Sequence, residues 1–126
     1  MKENERQFQG WIMDVAKRHG WRIWHLPTPM RPIGGNRFVP DPRGRGFPDL
    51  VLLHDDPPRL IFAEVKDGDG ELSKEQKEFL RLARRVSFLI GEWASDIIHT
   101  SSPMGVYVWR PANRDLIEAI LEGANL

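Results

Sequence analysis

Along residues 3–19, apolar side chains recur at the spacing of one helical face: Phe8, Trp11, Ile12, Val15 and Ala16 stand at i, i+3, i+4, i+7 and i+8. Gly20 is a natural stop for that helix. WRIWHL, residues 21–26, has the length and aromatic content of a strand. The following PTPMRPIGGNRFVPDPRGRGF is so dense in proline and glycine that it reads as a long loop without regular structure. DLVLLH and RLIFAEVK then read as two strands joined by the turn Asp55-Asp56-Pro57-Pro58. Ser73 opens a helix with Gln76 three residues on, the spacing of a capping box, and Phe79, Leu80, Ala83 and Val86 form its apolar stripe. Leu89, Ile90, Trp93, Ile97 and Ile98 continue a helical period while Gly91 and TSSPMG interrupt it, so 87–104 reads as a second, separate helix. VYVW, 106–109, is a strand stopped by Pro111, and Asn113 can cap a last helix carrying Leu116, Ile117, Ile120 and Leu121. The element order is αβββα(α)βα, an α/β domain with helices flanking a central mixed sheet.

The hairpin carries charge where it should be driest. If Asp55 to Pro58 is a four-residue turn, His54 faces Arg59, and stepping back along one strand and forward along the other brings Asp49 opposite Glu64. Opposed residues of an antiparallel pair share a face, with Cβ atoms roughly 4.5–5.5 Å apart, and Lys66, two residues beyond Glu64, shares it too. Two carboxylates so placed repel unless one keeps its proton or a cation lies between them. A hard divalent ion, Mg²⁺ or Mn²⁺, takes oxygen ligands of this kind, and the Val65 backbone carbonyl is a further candidate donor. Lys66 would then face the attacking water or the attacked phosphate, a plan for phosphodiester hydrolysis. Taken singly, Asp49 also reads as a turn residue after Pro48, and Glu64 and Lys66 as an exposed ion pair.

Composition narrows the field. The 126 residues, 40% of them hydrophobic, suit one domain with one core. Without cysteine there is no disulfide, thiolate ligand or thiol nucleophile, and a reducing, cytoplasmic setting is the expectation. No apolar run approaches a membrane span. Eighteen basic and eighteen acidic residues cancel, which argues against nucleic-acid binding through bulk charge. Locally, however, Thr28 to Pro48 holds Arg31, Arg37, Arg43 and Arg45 against Asp41 alone. Arg37, Arg43 and Arg45 are candidate phosphate contacts at the mouth of the charged hairpin, and binding through them should weaken with salt.

Gly46 to Lys66, GFPD followed fourteen residues later by EVK, resembles the PD-(D/E)xK nuclease motif. Its surroundings resemble the virus-type replication-repair nuclease (VRR-NUC) group, as found in small stand-alone phage and bacterial proteins. The shared features are ERQFQ in a first helix, a Gly20-Trp21 turn and strand, LSKEQKEFL after the ExK element, and a strand ending in Val108-Trp109-Arg110-Pro111. The resemblance spans nearly the whole chain. It implies a restriction-endonuclease-like fold and a Mg²⁺- or Mn²⁺-dependent DNA endonuclease. In that reading Asp49 and Glu64 bind the metal and Lys66 is the catalytic lysine. Glu5 is a helix carboxylate near the ion, in contact through water, with Glu3 competing for that role. Gln76 supports the site or the DNA backbone, or only caps its helix. The resemblance further implies a homodimer acting on branched DNA such as four-way junctions. The chain departs from the family between the Gln76 helix and VYVW, where small members have a short turn. Trp93, Ile97 and Ile98 in that added segment would either bury into the core or form a partner surface.

Overall fold

The computed structural model describes residues 4–26, 30–41, 46–98 and 103–123, with the backbone alone for 95–98. Helix α1 (Glu5–Arg18) begins at Asn4, whose side chain and that of Gln7 bond reciprocally to each other's backbone N–H. It ends where Gly20 takes φ +82°, letting the Gly20 and Trp21 amides turn back onto the Lys17 and Ala16 carbonyls. Strands β1 (Arg22–His25), β4 (Leu50–His54), β5 (Arg59–Val65) and β6 (Met104–Trp109) form one mixed sheet in the order β1-β4-β5-β6. The first two pairings are antiparallel and β5–β6 is parallel. A parallel pair needs a crossover; here it is helix α2 (Lys74–Ile98), which packs along β6 and donates from Ser87 Oγ to the Met104 carbonyl at 2.7 Å. After β6 a short 3₁₀ turn, Pro111–Asn113, leads into helix α3 (Arg114–Gly123).

Strand alternation gives the sheet two different faces. On one, Leu50, Leu52, Ile61, Ala63 and Val65 are buried against Phe8, Ile12, Val15 and Ala16 of α1 and Ile117 and Leu121 of α3. Trp21 closes this core, its Nε1 donating to the Leu121 carbonyl at 2.9 Å. The other face carries Val51, Leu53, Phe62 and Glu64 and receives α2 through Phe79, which meets Phe62 at a centroid distance of 5.7 Å.

Two segments differ from the sequence-based expectation. The stretch 28–48 is not wholly irregular: Met30–Gly34 (β2) and Arg37–Pro40 (β3) pair antiparallel as a separate two-stranded ribbon. Its turn uses Gly34 at φ +131° and Gly35 at φ +54°, and both strands are edges, where proline is tolerated. Nor is 87–98 a separate helix, since α2 runs unbroken through Gly91. An interior glycine lowers helix stability by only about 1 kcal/mol, and the contacts of Leu80, Ser87 and Ala94 with the body outweigh that. Ile97 and Ile98, expected in the core or at a partner surface, fall outside the described side chains, and Glu3, Arg43 and Arg45 fall outside the described residues. Among the described residues no helix is long and apolar enough to cross a membrane.

Candidate functional site

The register through Asp55–Pro58 is the one a four-residue turn requires: His54 pairs with Arg59, and the ladder continues to Leu50 opposite Ala63. Asp49 follows as the next residue. Its backbone carbonyl accepts from Leu26 N at 2.8 Å, extending the β1–β4 ladder. Its carboxylate turns the other way, and Oδ2 accepts the Val65 amide at 2.9 Å. Asp49 thus binds both neighbouring strands at once, a reason for a charged residue at the mouth of an apolar strand.

Glu64 is almost completely buried, at 2% exposure, on the α2 face. Its carboxyl pKa is pushed up to about 8, first by burial, then by a hydrogen bond to the Asp49 side chain and by the Asp49 charge, with Lys66 opposing. Burial and the neighbouring Asp49 carboxylate thus favour the neutral form of Glu64 in the ion-free protein. Lys66 Nζ lies 4.0 Å from Glu64 Oε1. The lysine is fixed from behind, because its amide donates to the Trp109 carbonyl at 3.1 Å and continues the β5–β6 pairing.

Gln76 resolves an either-or of the sequence. Its Oε1 accepts from Ser73 N at 2.8 Å, while its own amide donates to Ser73 Oγ at 3.1 Å, completing the capping box. The same side chain's Nε2 donates to Glu64 Oε1 at 2.7 Å. One residue both caps α2 and holds the buried carboxyl. Glu5, in the first turn of α1, belongs to the same electrostatic cluster: burial raises its pKa, Asp49 and Asp67 add to that, and Lys66 and His25 counter it. Asp49, Glu64, Lys66, Gln76 and Glu5, drawn from four separate segments, therefore converge.

Two supporting features are missed from sequence alone. Arg110 Nη1 donates to the carbonyls of Asp67, Gly68 and Gly70 at 3.1, 3.3 and 2.7 Å, pinning the loop that follows Lys66. The glycines of DGDG leave that loop's backbone acceptors unshielded, which is the signal that an outside donor is needed. Just before Asp49, Gly46 has φ +85°, and a Cβ there would overlap the Glu75 backbone carbonyl. That close approach seats Phe47 against Phe62 and Phe79, at 6.1 and 5.3 Å between ring centroids. The candidate phosphate contact Arg37 is exposed on β3 of the ribbon.

Among the described residues there is no group of three or more His, Cys, Asp or Glu side chains arranged to hold a metal ion. The oxygen donors brought together are two carboxyls beside the Val65 backbone. That donor set is hard and suits Mg²⁺ or Mn²⁺ better than zinc or copper. No protein-family model matches the chain, and comparison with curated proteins and with solved structures finds no match.

Proposed function

We propose that this chain is a divalent-metal-dependent DNA endonuclease of restriction-endonuclease-like architecture that hydrolyses phosphodiester bonds in branched DNA. The observation carrying this reading is the buried Glu64 carboxyl bound at once by Asp49 and Gln76 with the Lys66 ammonium 4.0 Å away. Structural ion pairs seldom bury a carboxyl beside a second carboxyl and keep it protonated; perturbed groups of this kind concentrate at working sites. Asp49 and Glu64, with the Val65 carbonyl, would hold Mg²⁺ or Mn²⁺, and Glu5, whose charge is coupled to those of Asp49 and Lys66, would bind through water. A divalent ion there supplies Lewis-acid polarisation of the phosphate and makes water more acidic.

The chain's own residues account for the rest. Glu64 must release its proton for the site to charge, and Gln76 Nε2 keeps the carboxylate aimed once it does. Lys66 places positive charge where the pentacovalent phosphate gains negative charge. Asp49, braced by Val65 N, cannot swing away when its partner ionises. Arg37, Arg43 and Arg45, all shortly before Asp49 in sequence, would offer phosphate contacts.

A divalent-dependent cleavage assay on linear, flap and four-way DNA tests this, run beside Asp49→Ala and Lys66→Ala. Wild type should cut branched DNA and both variants should lose about 10²-fold or more in rate. Equal behaviour of wild type and variants would refute the reading. A second reading, a DNA-binding protein of the same fold without chemistry, is favoured by the lack of a three-ligand cluster among the described residues. It predicts binding of the same DNA with no cleavage under any divalent ion.

A further inference from the structure

Helix α2 is longer than the crossover requires and carries a second apolar stripe on its flank. Leu82, Val86, Leu89 and Trp93 follow one another at spacings of four, three and four residues, the a/d repeat of a coiled-coil seam. None faces the chain's own core: Leu89 is 60% and Trp93 59% exposed, and Leu82 and Val86 are about half exposed. The inward contacts of α2 are made instead by the buried Leu80 and Ala94 and the half-buried Ser87, on a different side of the helix. Phe88, also exposed, lies outside the seam.

The sheet beneath is open in the same region. α2 packs along β6 and leaves the far half of its face uncovered: Leu53 of β4 and Trp24 of β1, which share that face with Val51 and Phe62, are exposed. Helix flank and sheet face together make an apolar patch larger than the scattered surface residues of an ordinary monomer.

The charges beside the seam say what covers it. Arg85 and Glu92 are seven residues apart and occupy the same flanking position of successive heptads, with opposite sign. When two identical helices run antiparallel about a two-fold axis, with Val86 against Leu89 of the second copy and Leu82 against Trp93, each Arg85 meets the other copy's Glu92. A parallel pair would set Arg85 beside Ile90 of the second copy and leave both charges without an opposite partner. The stripe is thus self-complementary in one orientation, the requirement of an isologous interface. We infer that α2 pairs antiparallel with α2 of a second copy of this chain and that the second helix lies against Leu53 and Trp24. This stands independently of the proposed chemistry.

Sedimentation equilibrium across micromolar concentrations tests it. Wild type should have the mass of a dimer, and Leu89→Glu/Trp93→Glu the mass of a monomer with unchanged far-UV circular dichroism, since both positions are open to solvent in the single chain. Arg85→Glu and Glu92→Arg should each weaken association by about tenfold, and the two together should restore it to within about twofold of wild type. A monomeric wild type overturns the inference and assigns the seam to a chain of different sequence. A dimer indifferent to Leu89→Glu/Trp93→Glu, or a double reversal that associates no better than the single ones, overturns it equally.

Discussion

The two faces of the central sheet are built to different ends. The face under α1 and α3 is closed and dry: Leu50, Leu52, Ile61, Ala63 and Val65 are fully buried, and α1 and α3 contribute apolar side chains alone to that cluster. The face under α2 is half covered and holds the proposed site, with Glu64, Lys66 and Gln76 at one end and the exposed Leu53, Trp24 and Leu89 away from it. Because strand residues alternate, every step along β5 crosses from one face to the other: Ala63 and Val65 anchor in the dry core, while Glu64 and Lys66 stand on the face of the proposed site. A rigid site needs this interleaving, since a side chain is held no better than the strand that carries it.

The comparison breaks most visibly by hollowing out the closed face. Leu52→Ala should lower unfolding free energy by about 2–5 kcal/mol, read by urea denaturation, because Leu52 is fully buried between α1 and the sheet. The fraction still folded should keep its cleavage rate. On the working face the order reverses, and Lys66→Ala should cost activity while leaving the denaturation midpoint nearly unchanged, its side chain being partly exposed. If Leu52→Ala reduced the specific activity of folded protein as much as Lys66→Ala does, the two faces would not be separable.

The working face should also show in the pH dependence of stability. Glu64 has its pKa raised from the ordinary carboxyl value of 4.5 to about 8. A carboxyl raised on folding contributes stability that is complete below its unfolded pKa and lost as pH rises through its folded pKa. In chelator, wild type should therefore lose stability steadily between about pH 4.5 and 8, and Glu64→Gln, which stays neutral, should flatten that slope and be the more stable protein at pH 8. Added Mg²⁺ should narrow the gap for wild type alone. A Glu64→Gln profile parallel to wild type would show that the carboxyl is ionised throughout.

Smaller effects separate the two jobs of Gln76. Ser73→Ala removes the hydroxyl end of the capping box and should cost about 1 kcal/mol of stability, with little change in cleavage. Gln76→Ala removes the other half of the cap and also the 2.7 Å bond to the buried Glu64, so it should melt somewhat below Ser73→Ala and fall well below it in rate. Equal rates for the two variants would reduce Gln76 to a cap.

Much of this is legible in the sequence, for physical reasons that differ by segment. The Asp49–Glu64 juxtaposition follows from counting because LVLL and LIFA are apolar enough to need burial, and a one-residue slip would turn Leu50 and Leu52 out of the core. The cap at Ser73 and the stop at Gly20 are local, and local rules suffice. What escapes depends on contacts between distant segments. Gly91 looks like a break only until Ser87 and Ala94 are seen anchored against the body. The β2–β3 ribbon has both strands almost fully exposed, so burial imposes no alternation to read, and Pro32 and Pro40 mask it further. Only Gly34-Gly35-Asn36 between MRPI and RFVP marks the turn. Arg110 is visible as part of a motif, but its grip on the 67–70 carbonyls spans some forty residues of sequence.

That ribbon offers the finest cut between holding the fold and using it. Arg31 and Arg37 sit on strands that pair only with each other, so Arg31→Ala/Arg37→Ala should change unfolding free energy by no more than about 0.5 kcal/mol. DNA should register the change where folding does not. If both guanidinium groups neutralise phosphates, the slope of log affinity against log salt should become shallower by about 2, with cleavage at saturating DNA unaltered. Lys66→Ala should do the opposite, sparing the salt slope and removing the rate. A salt slope unmoved by the double arginine variant would leave phosphate contact to Arg43 and Arg45 and make the ribbon a bystander.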